Sequence, residues 1–291
     1  MKKLRCQFYA IEKYREPEAL IDIFKRLKGL SFQDRTKDCN HSKIRVDDIN
    51  FEEINGSPCC LFSFSRLRDD NWPGVTSIDE SSRDLELGDD ELLSEETYGI
   101  YDVDHNRMVI QYNHIGTRAS QIQQFIQQVT SPNSGTYHLI PIFSGDAIKK
   151  YQNSEIVTYL DVMLTDISNL DIAQFEGTSL TEVIKSSLNI GSRKLQLTFS
   201  ANARLKKDKL KKSWTDKVIN AIQRRGENDK VVVKIKDDID SNVEILNLLE
   251  HRKEIVFNAS SIEKTNGKRY NKNSMYLILK DALKKWDNEK N

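Results

Sequence analysis

The two-residue period of residues 155–165, EIVTYLDVMLT, constrains the fold more than any other feature of this sequence. Odd-numbered side chains from Val157 to Met163 alternate with the even-numbered ones from Ile156 to Val162, which predicts a strand with two distinct faces. Similar runs predict further strands at 4–11, 59–67, 136–143, 193–203, 230–236 and 254–260. Residues 97–113 are typical of a β-hairpin, because two β-rich arms flank the turn sequence DVDHN.

Helical periods lie between these strands. They predict helices at 16–30, 115–129, 210–225, 239–249 and 272–286, with two shorter helical segments around 167–190. Strands that neighbour one another as hairpins indicate an α+β fold of mixed, mainly antiparallel sheets with packed helices. Because strand patterning restarts at residue 155, we expect two subdomains, an N-terminal α+β domain at 1–152 and a C-terminal one at 153–291.

The composition is that of a soluble globular protein, with 38% hydrophobic and 30% charged residues. No apolar run reaches the roughly 18 residues that a membrane-spanning helix needs, so no membrane insertion is expected. The N-terminus lacks the apolar core of a signal peptide. Four cysteines are too few for a disulfide scaffold in a chain of 291 residues, which favours reduced thiols and a cytoplasmic location.

A net charge of zero hides a strong segregation of charge along the chain. Residues 69–104 contain thirteen acids and one base, whereas residues 193–230 contain twelve bases and four acids. Residues 264–291 contain eight bases and three acids. Local patches therefore say more about partners than the overall balance does.

The densest basic segment is RLKKDKLKKSWTDKVINAIQRR, residues 204–225, with nine basic residues. An apolar stripe through Leu210, Trp214 and Val218 predicts an anchored helix whose lysines point away from the core. A second basic stretch, KTNGKRYNK at 264–272, offers four more cations, with Tyr270 available to stack. The predicted DNA-binding residues are Arg204, Lys206, Lys207, Lys209, Lys211, Lys212, Lys264, Lys268, Arg269 and Lys272. The alternative interpretation is a solvated helix face without a ligand.

Residues 69–96 form the opposite constellation, an acidic and turn-rich connection. It could bind a cation, imitate nucleic acid, cover the basic patch or bind a basic protein, and it could equally be a solvated loop. The acids at Asp89, Asp90 and Glu91 lack the alternating spacing of a calcium-binding loop.

Motifs for catalysis and metal binding are absent from the sequence, which contains no phosphate-binding loop, nucleophile elbow or metalloprotease helix. Cys39, His41, Cys59 and Cys60 could be imagined as a zinc site, but adjacent cysteines on a strand point to opposite faces. We therefore predict no metal, cofactor or catalytic residue. Asp161 and Asp166 are the only nominees for a nuclease site assembled from distant acids.

Residues 86–225 resemble a known family in the order of their elements. An acidic element and a hairpin in LGDDELLSEETYGIYDVDHNRMVIQYN precede an amphipathic helix, LIPIFSGDAIKKY, a long strand and a basic helix. This order resembles the Rex phage-exclusion protein A family and is similar to the B subunit of the Kiwa anti-phage system and to relatives in prophages and defence islands. The resemblance implies a cytoplasmic, homodimeric DNA-binding protein of bacterial or prophage defence, without demonstrated catalysis. Its basic strand–helix element falls on Arg204, Lys206, Lys207, Lys211 and Lys212.

Three hypotheses follow from the sequence. The first is a non-catalytic protein that binds double-stranded DNA with little sequence preference, since no side chain stands out as a base reader. The second is a metal-dependent nuclease effector of such a defence system. The third is a sensor subunit that uses the acidic loop 69–96 to bind a partner protein, such as one from the same defence operon.

Overall fold

A computed structural model describes residues 3–69, 72–130, 135–143, 145–165, 167–170, 172–176, 178–201, 208–223, 229–236, 241–249 and 252–288. The predicted α+β class is confirmed, because the described residues form helices and two mainly antiparallel sheets. The chain divides into two compact units. Unit 1 contains residues 1–139 and 255–291, and unit 2 contains residues 140–254.

Unit 1 is built on an eight-stranded sheet with the order β12-β1-β6-β5-β4-β3-β2, in which β7 also pairs with β1. Its strands are β1 (Lys3–Tyr14), β2 (Thr36–Cys39), β3 (Ser42–Ile54), β4 (Ser57–Arg68), β5 (Leu93–Asp102), β6 (Arg107–Tyr112), β7 (Thr136–Pro141) and β12 (Glu254–Asn258). The predicted hairpin at 97–113 is confirmed as β5–β6, with Gly99 opposite Ile110 and Asp102 opposite Arg107.

Three helices cover this sheet, namely α1 (Leu20–Lys28), α2 (Ala119–Val129) and α6 (Lys272–Asn288). The apolar stripe of α1 is fully buried, and its Phe24 stacks on Phe62 of β4 with ring centroids 5.2 Å apart. Helix α6 packs instead on side chains such as Phe8 of β1, whose ring meets Trp286 edge to face at 4.7 Å. Apolar burial of this kind on both faces supplies most of the stability of the unit.

A buried ion pair fastens α6 to the β5–β6 hairpin. The Arg107 guanidinium donates to Asp102 at 2.7 Å and pairs with Asp287 at 2.5 Å, while its charged carbon lies 4.5 Å from the centre of the Trp286 ring. Burial alone would raise the pKa of Asp102, but hydrogen bonds from Ser57, Arg107 and the neighbouring imidazole hold it below its usual value. Asp102 is therefore an anion in the folded state.

Unit 2 contains a four-stranded antiparallel sheet with the order β11-β10-β8-β9. Its strands are β8 (Ile156–Thr165), β9 (Lys194–Ser200), β10 (Lys230–Lys236) and β11 (Glu244–Asn247), and its helices are α3 (Gly145–Asn153), α4 (Leu180–Asn189) and α5 (Lys212–Gln223), with short 3-10 turns at Ile167–Asn169 and Ile172–Phe175. A single apolar core joins the helices to one face of the sheet, through residues such as Leu160, Ile184 and Val218.

Two predictions about organisation differ from the structure. The helix predicted at 239–249 is wrong, since Glu244–Asn247 forms β11 and pairs with β10; a short apolar run does not distinguish the two periods by itself. The division predicted at 152/153 lies instead at 139/140, and residues 255–291 belong to unit 1. Residues 255–291 belong to unit 1 because of contacts distant in sequence: β12 joins the sheet of β1, and α6 packs against β5 and β6.

Candidate nucleic-acid interface

Helix α5 carries the basic segment of unit 2 on a fixed support. Val218 and Ile222 are fully buried, and the Trp214 ring meets Phe199 of β9 edge to face with centroids 4.8 Å apart. The predicted apolar stripe is therefore confirmed, although the helix begins at Lys212 and not at Leu210. The core therefore fixes the backbone positions from which the exposed side chains of this helix project.

The lysines just before α5 are exposed and stand on a fixed backbone. The Leu210 N–H donates to the Val157 carbonyl of β8 at 2.8 Å, which ties down the residue between Lys209 and Lys211. Both lysines are exposed, as is Lys217 on the helix, and none of the three forms an ion pair within the described part of the chain. Of the other nominated residues of this segment, Arg204, Lys206 and Lys207 lie outside the described residues.

Acidic compensation in this segment is weaker than its composition implies. The Asp216 carboxylate accepts a hydrogen bond of 2.6 Å from the Tyr151 hydroxyl of α3 and is thus directed toward the neighbouring helix. Burial, and then this hydrogen bond, raises the pKa of Tyr151, so its hydroxyl remains a donor. The exposed Asp208 is the remaining described acid beside the lysines.

Lys212 differs from its neighbours because its ammonium group is already occupied. Its Nζ donates to the carbonyl oxygens of Tyr151 at 3.1 Å, Gln152 at 2.6 Å and Ser154, and it lies 5.4 Å from the centre of the Tyr151 ring. These carbonyls are at the C-terminus of α3, where a helix has unsatisfied acceptors and partial negative charge. With all three donors engaged, Lys212 is a helix cap in the structure and not a free phosphate ligand.

The second predicted basic stretch, 264–272, lies in unit 1, where carboxylates pair with two of its four cations. Arg269 pairs with Glu96 at 2.5 Å, and Lys272 pairs with Asp48 at 3.2 Å. Both carboxylates also accept hydrogen bonds from buried tyrosine hydroxyls, which fix them in place. The other two cations of this stretch, Lys264 and Lys268, are exposed.

The acidic connection opens from the same end of the unit 1 sheet as that stretch. It joins the neighbouring strands β4 and β5, and Glu96, the partner of Arg269, lies near the start of β5. Within residues 72–92, Val75 and Arg83 form a two-hydrogen-bond bridge at 2.8 Å that closes a small exposed hairpin. Ile78, at its turn, is completely exposed.

Asp161, one of the two residues proposed for a nuclease site, lies in the unit 2 sheet. Its side chain is 7% exposed, and its Oδ1 accepts hydrogen bonds from Thr198 at 2.9 Å and Gln196 at 3.2 Å, both on β9. This bonding gives Asp161 a role in pairing the two strands. Asp166 lies outside the described residues.

The cysteines and the metal-ligand types are placed as follows. All four cysteines are buried free thiols, and burial raises the pKa values of Cys6, Cys39 and Cys59 to about 12. Among the residues that the structure describes, no group of three or more His, Cys, Asp or Glu side chains is arranged to hold a metal ion.

Fold and surface together define an α+β protein of two units. Unit 2 has exposed lysines beside helix α5, and unit 1 has an acidic hairpin. The chain belongs to the family described as Family of unknown function (DUF6731), which it matches over residues 11–291. No curated protein matches the chain. In the described residues, no helix combines the length and apolar character required to cross a membrane.

The sequence did not predict the groups that bind the basic side chains, which are the end of α3 and the carboxylates of unit 1. Helix α3 was not predicted, although Ala147 and Tyr151 have helical spacing, because the segment is short and follows a strand directly. The pairing of Arg269 with Glu96 joins residues far apart in sequence, and no local pattern indicates it.

Proposed function

We propose that this protein binds double-stranded DNA without catalysis and with little sequence preference, through the basic segment 204–211 of unit 2. The observation that carries the proposal is the pair of exposed lysines, Lys209 and Lys211, which have no ion-pair partner among the described residues and lie on either side of a residue tied to the sheet. A backbone that is already fixed loses little further conformational freedom when its lysines contact phosphate, which favours binding.

The proposed interface is narrower than the one predicted from sequence. Lys212 is engaged by α3, and Arg269 and Lys272 are paired with acids, so these three contribute little to the attraction of phosphates. Contacts with the phosphate backbone carry no base information, which is the physical reason for expecting tolerance of sequence. A cytoplasmic setting in bacterial or prophage anti-phage defence is supported by the resemblance of residues 86–225.

Fluorescence anisotropy with short mixed-sequence duplexes, over a series of salt concentrations, tests this proposal. The double variant Lys209→Glu/Lys211→Glu removes two phosphate contacts, so the slope of log affinity against log salt falls by about 2. Lys13→Glu/Lys284→Glu makes the same change in net charge at exposed positions of unit 1 and serves as the matched control. Equal slopes for the two double variants would show that the segment is not the interface.

A second function, binding of a basic partner protein through the acidic hairpin, is favoured by one observation. Ile78 is completely exposed at the turn of a segment rich in carboxylates, and an apolar tip with charged flanks suits a protein surface better than a solvated loop. Replacing residues 72–92 by a short Gly/Ser linker should abolish co-purification with a co-expressed protein of the same operon. Undiminished co-purification would argue against this function and leave the DNA-binding proposal unaffected.

A further inference from the structure

Strand β9 forms one edge of the unit 2 sheet. It pairs with β8 on one side, and no described strand pairs with its other side. At seven residues it is longer than the opposite edge of its own sheet, β11, and longer than the edge strand β2 of unit 1, which have four residues each. Natural edges of this length usually carry a proline, a bulge or an inward charge to prevent pairing. The sequence KLQLTFS contains no proline, and its one charge, Lys194, is at the end of the strand.

The register shows which backbone groups face the open edge. The Ala201 N–H donates to the Thr158 carbonyl, so residues 201, 199, 197 and 195 direct their N–H and C=O groups toward β8. The N–H and C=O groups of Gln196, Thr198 and Ser200 therefore point away from the sheet. Within the described parts of the chain these groups have no backbone hydrogen-bond partner, so they form an open half of a hydrogen-bonding ladder.

The side chains of β9 are also incompletely covered. Leu195, Leu197 and Phe199 face the helices and pack against the core, yet each is only partly buried. Their neighbours on the same face of β8, Leu160, Val162 and Leu164, are fully buried. The opposite face of β9 carries small or neutral polar side chains between Lys194 and Ser200. An apolar row beside free backbone groups is a surface for strand addition.

We propose that β9 pairs antiparallel with β9 of a second copy of this chain, about a two-fold axis at Leu197. Antiparallel pairing of the outward-facing groups then sets Gln196 opposite Thr198 of the other copy, and Lys194 opposite Ser200. On the helix side, Leu197 meets its own equivalent and Leu195 meets Phe199. No like charges face each other, and every apolar side chain of the strand gains an apolar neighbour.

Self-complementarity is the reason for choosing a second copy as the occupant. A two-fold interface requires one patch to match itself, and the sequence LQLTF does so in hydrogen bonding, apolar contacts and charge. The two four-stranded sheets become one continuous sheet of eight strands. Because the axis is perpendicular to that sheet, both α5 helices lie on the same face, each with its own Lys209 and Lys211. The pairing itself does not depend on the proposed DNA binding, but it would give that binding two linked sites.

Sedimentation velocity on the full chain at micromolar concentration, with two substitutions at one position, tests the pairing. Thr198→Pro removes an outward N–H, whereas Thr198→Ala keeps it; both variants lose the same hydroxyl bond to Asp161. The wild type and Thr198→Ala should be dimers and Thr198→Pro a monomer with an unchanged circular dichroism spectrum. A monomeric wild type, or a Thr198→Pro variant that remains a dimer, would overturn the proposal.

A cross-linking experiment reads out the same register even where Thr198→Pro fails to fold. Leu197→Cys places two thiols in a non-hydrogen-bonded pair with Cα atoms about 4.5 Å apart, within the range of a disulfide. Gln196→Cys is the control, because that residue faces Thr198 and lies two residues out of register with its own equivalent. The four native cysteines are buried. Mild oxidation should give a covalent dimer with Leu197→Cys much faster than with Gln196→Cys, and equal rates would refute the register. The variant Lys209→Glu/Lys211→Glu should dimerise as the wild type does, so failure of DNA binding and failure of dimerisation are separable.

Discussion

Two adjacent lysines at the start of α5 are expected to have different roles, one in DNA binding and one in stability, and single substitutions can distinguish these roles. Lys211→Met and Lys212→Met each remove one charge and keep a long apolar side chain. Lys211 is exposed and unpaired in the described part of the chain, whereas Lys212 donates three hydrogen bonds to the end of α3. We expect Lys211→Met to weaken DNA binding with little effect on stability, and Lys212→Met to reduce stability with little effect on binding.

The expected loss of stability in Lys212→Met follows from the hydrogen bonds that the substitution removes. A hydrogen bond to a charged group contributes roughly 1.5–3 kcal/mol to stability, and a cation at a helix C-terminus adds roughly 0.3–1 kcal/mol. Because the lysine side chain is partly exposed, water can replace some of these bonds, and we expect a loss of about 2 kcal/mol. For a unit of this size, residues 140–254, that loss lowers the melting temperature by about 8 °C.

Differential scanning calorimetry of the two single variants and the wild type measures this stability loss. The calorimetric traces must be compared for the transition of unit 2, since the two units can unfold separately. Anisotropy measured well below either melting temperature reports DNA binding in the same samples. Our reasoning about the cap would be refuted if Lys212→Met melted within 1 °C of the wild type, at roughly the precision of such a comparison. Equal loss of binding in both variants would show that Lys212 contacts DNA.

Four further outcomes are expected for unit 1. Asp102→Asn should destabilise it by about 3 kcal/mol in chemical denaturation, since it leaves Arg107 buried with one carboxylate fewer. Because the pKa of Asp102 is lowered on folding, its contribution is present above the unfolded value of 3.8 and is lost as the pH falls through the folded value; acid titration of stability should therefore be shallower in Asp102→Asn. Gly99→Ala should cost about 1–3 kcal/mol, because the added methyl would lie 2.4 Å from the Phe62 ring; an unchanged denaturation midpoint would contradict that packing. Thiol titration at neutral pH should show slow reaction of the native protein and rapid reaction after unfolding, since burial raises the pKa values of Cys6, Cys39 and Cys59 to about 12.

Local patterns predicted most of the elements, and long-range pairing explains what they could not. The strand at 155–165 and the helix with Trp214 were recognised because their periods continue for ten residues or more. The two-strand pair β2–β3 was not predicted, since alternation in SKIRVDDINFEEI is broken where Asp47 and Asp48 follow one another and the register shifts. The return of residues 255–291 to unit 1 depends on β12 and α6 meeting strands from the first half of the chain, and no period within a segment encodes that meeting.

Long-range contacts also limited what the sequence could predict about the charges of the candidate site. The sequence predicts ten cations as ligands for phosphate. In the structure, however, Lys212 binds the end of a helix, and Arg269 and Lys272 pair with carboxylates. Seven nominees remain for each copy of the chain. Five of them lie in the proposed interface 204–211, and at about 0.9 per phosphate these five limit the salt slope of DNA binding to roughly 4.5 per copy. Anisotropy on the monomeric Thr198→Pro variant would measure that slope for a single copy. A steeper slope would mean that cations outside this segment, such as the exposed Lys217, contact DNA, and a slope near 2 would confine the interface to Lys209 and Lys211.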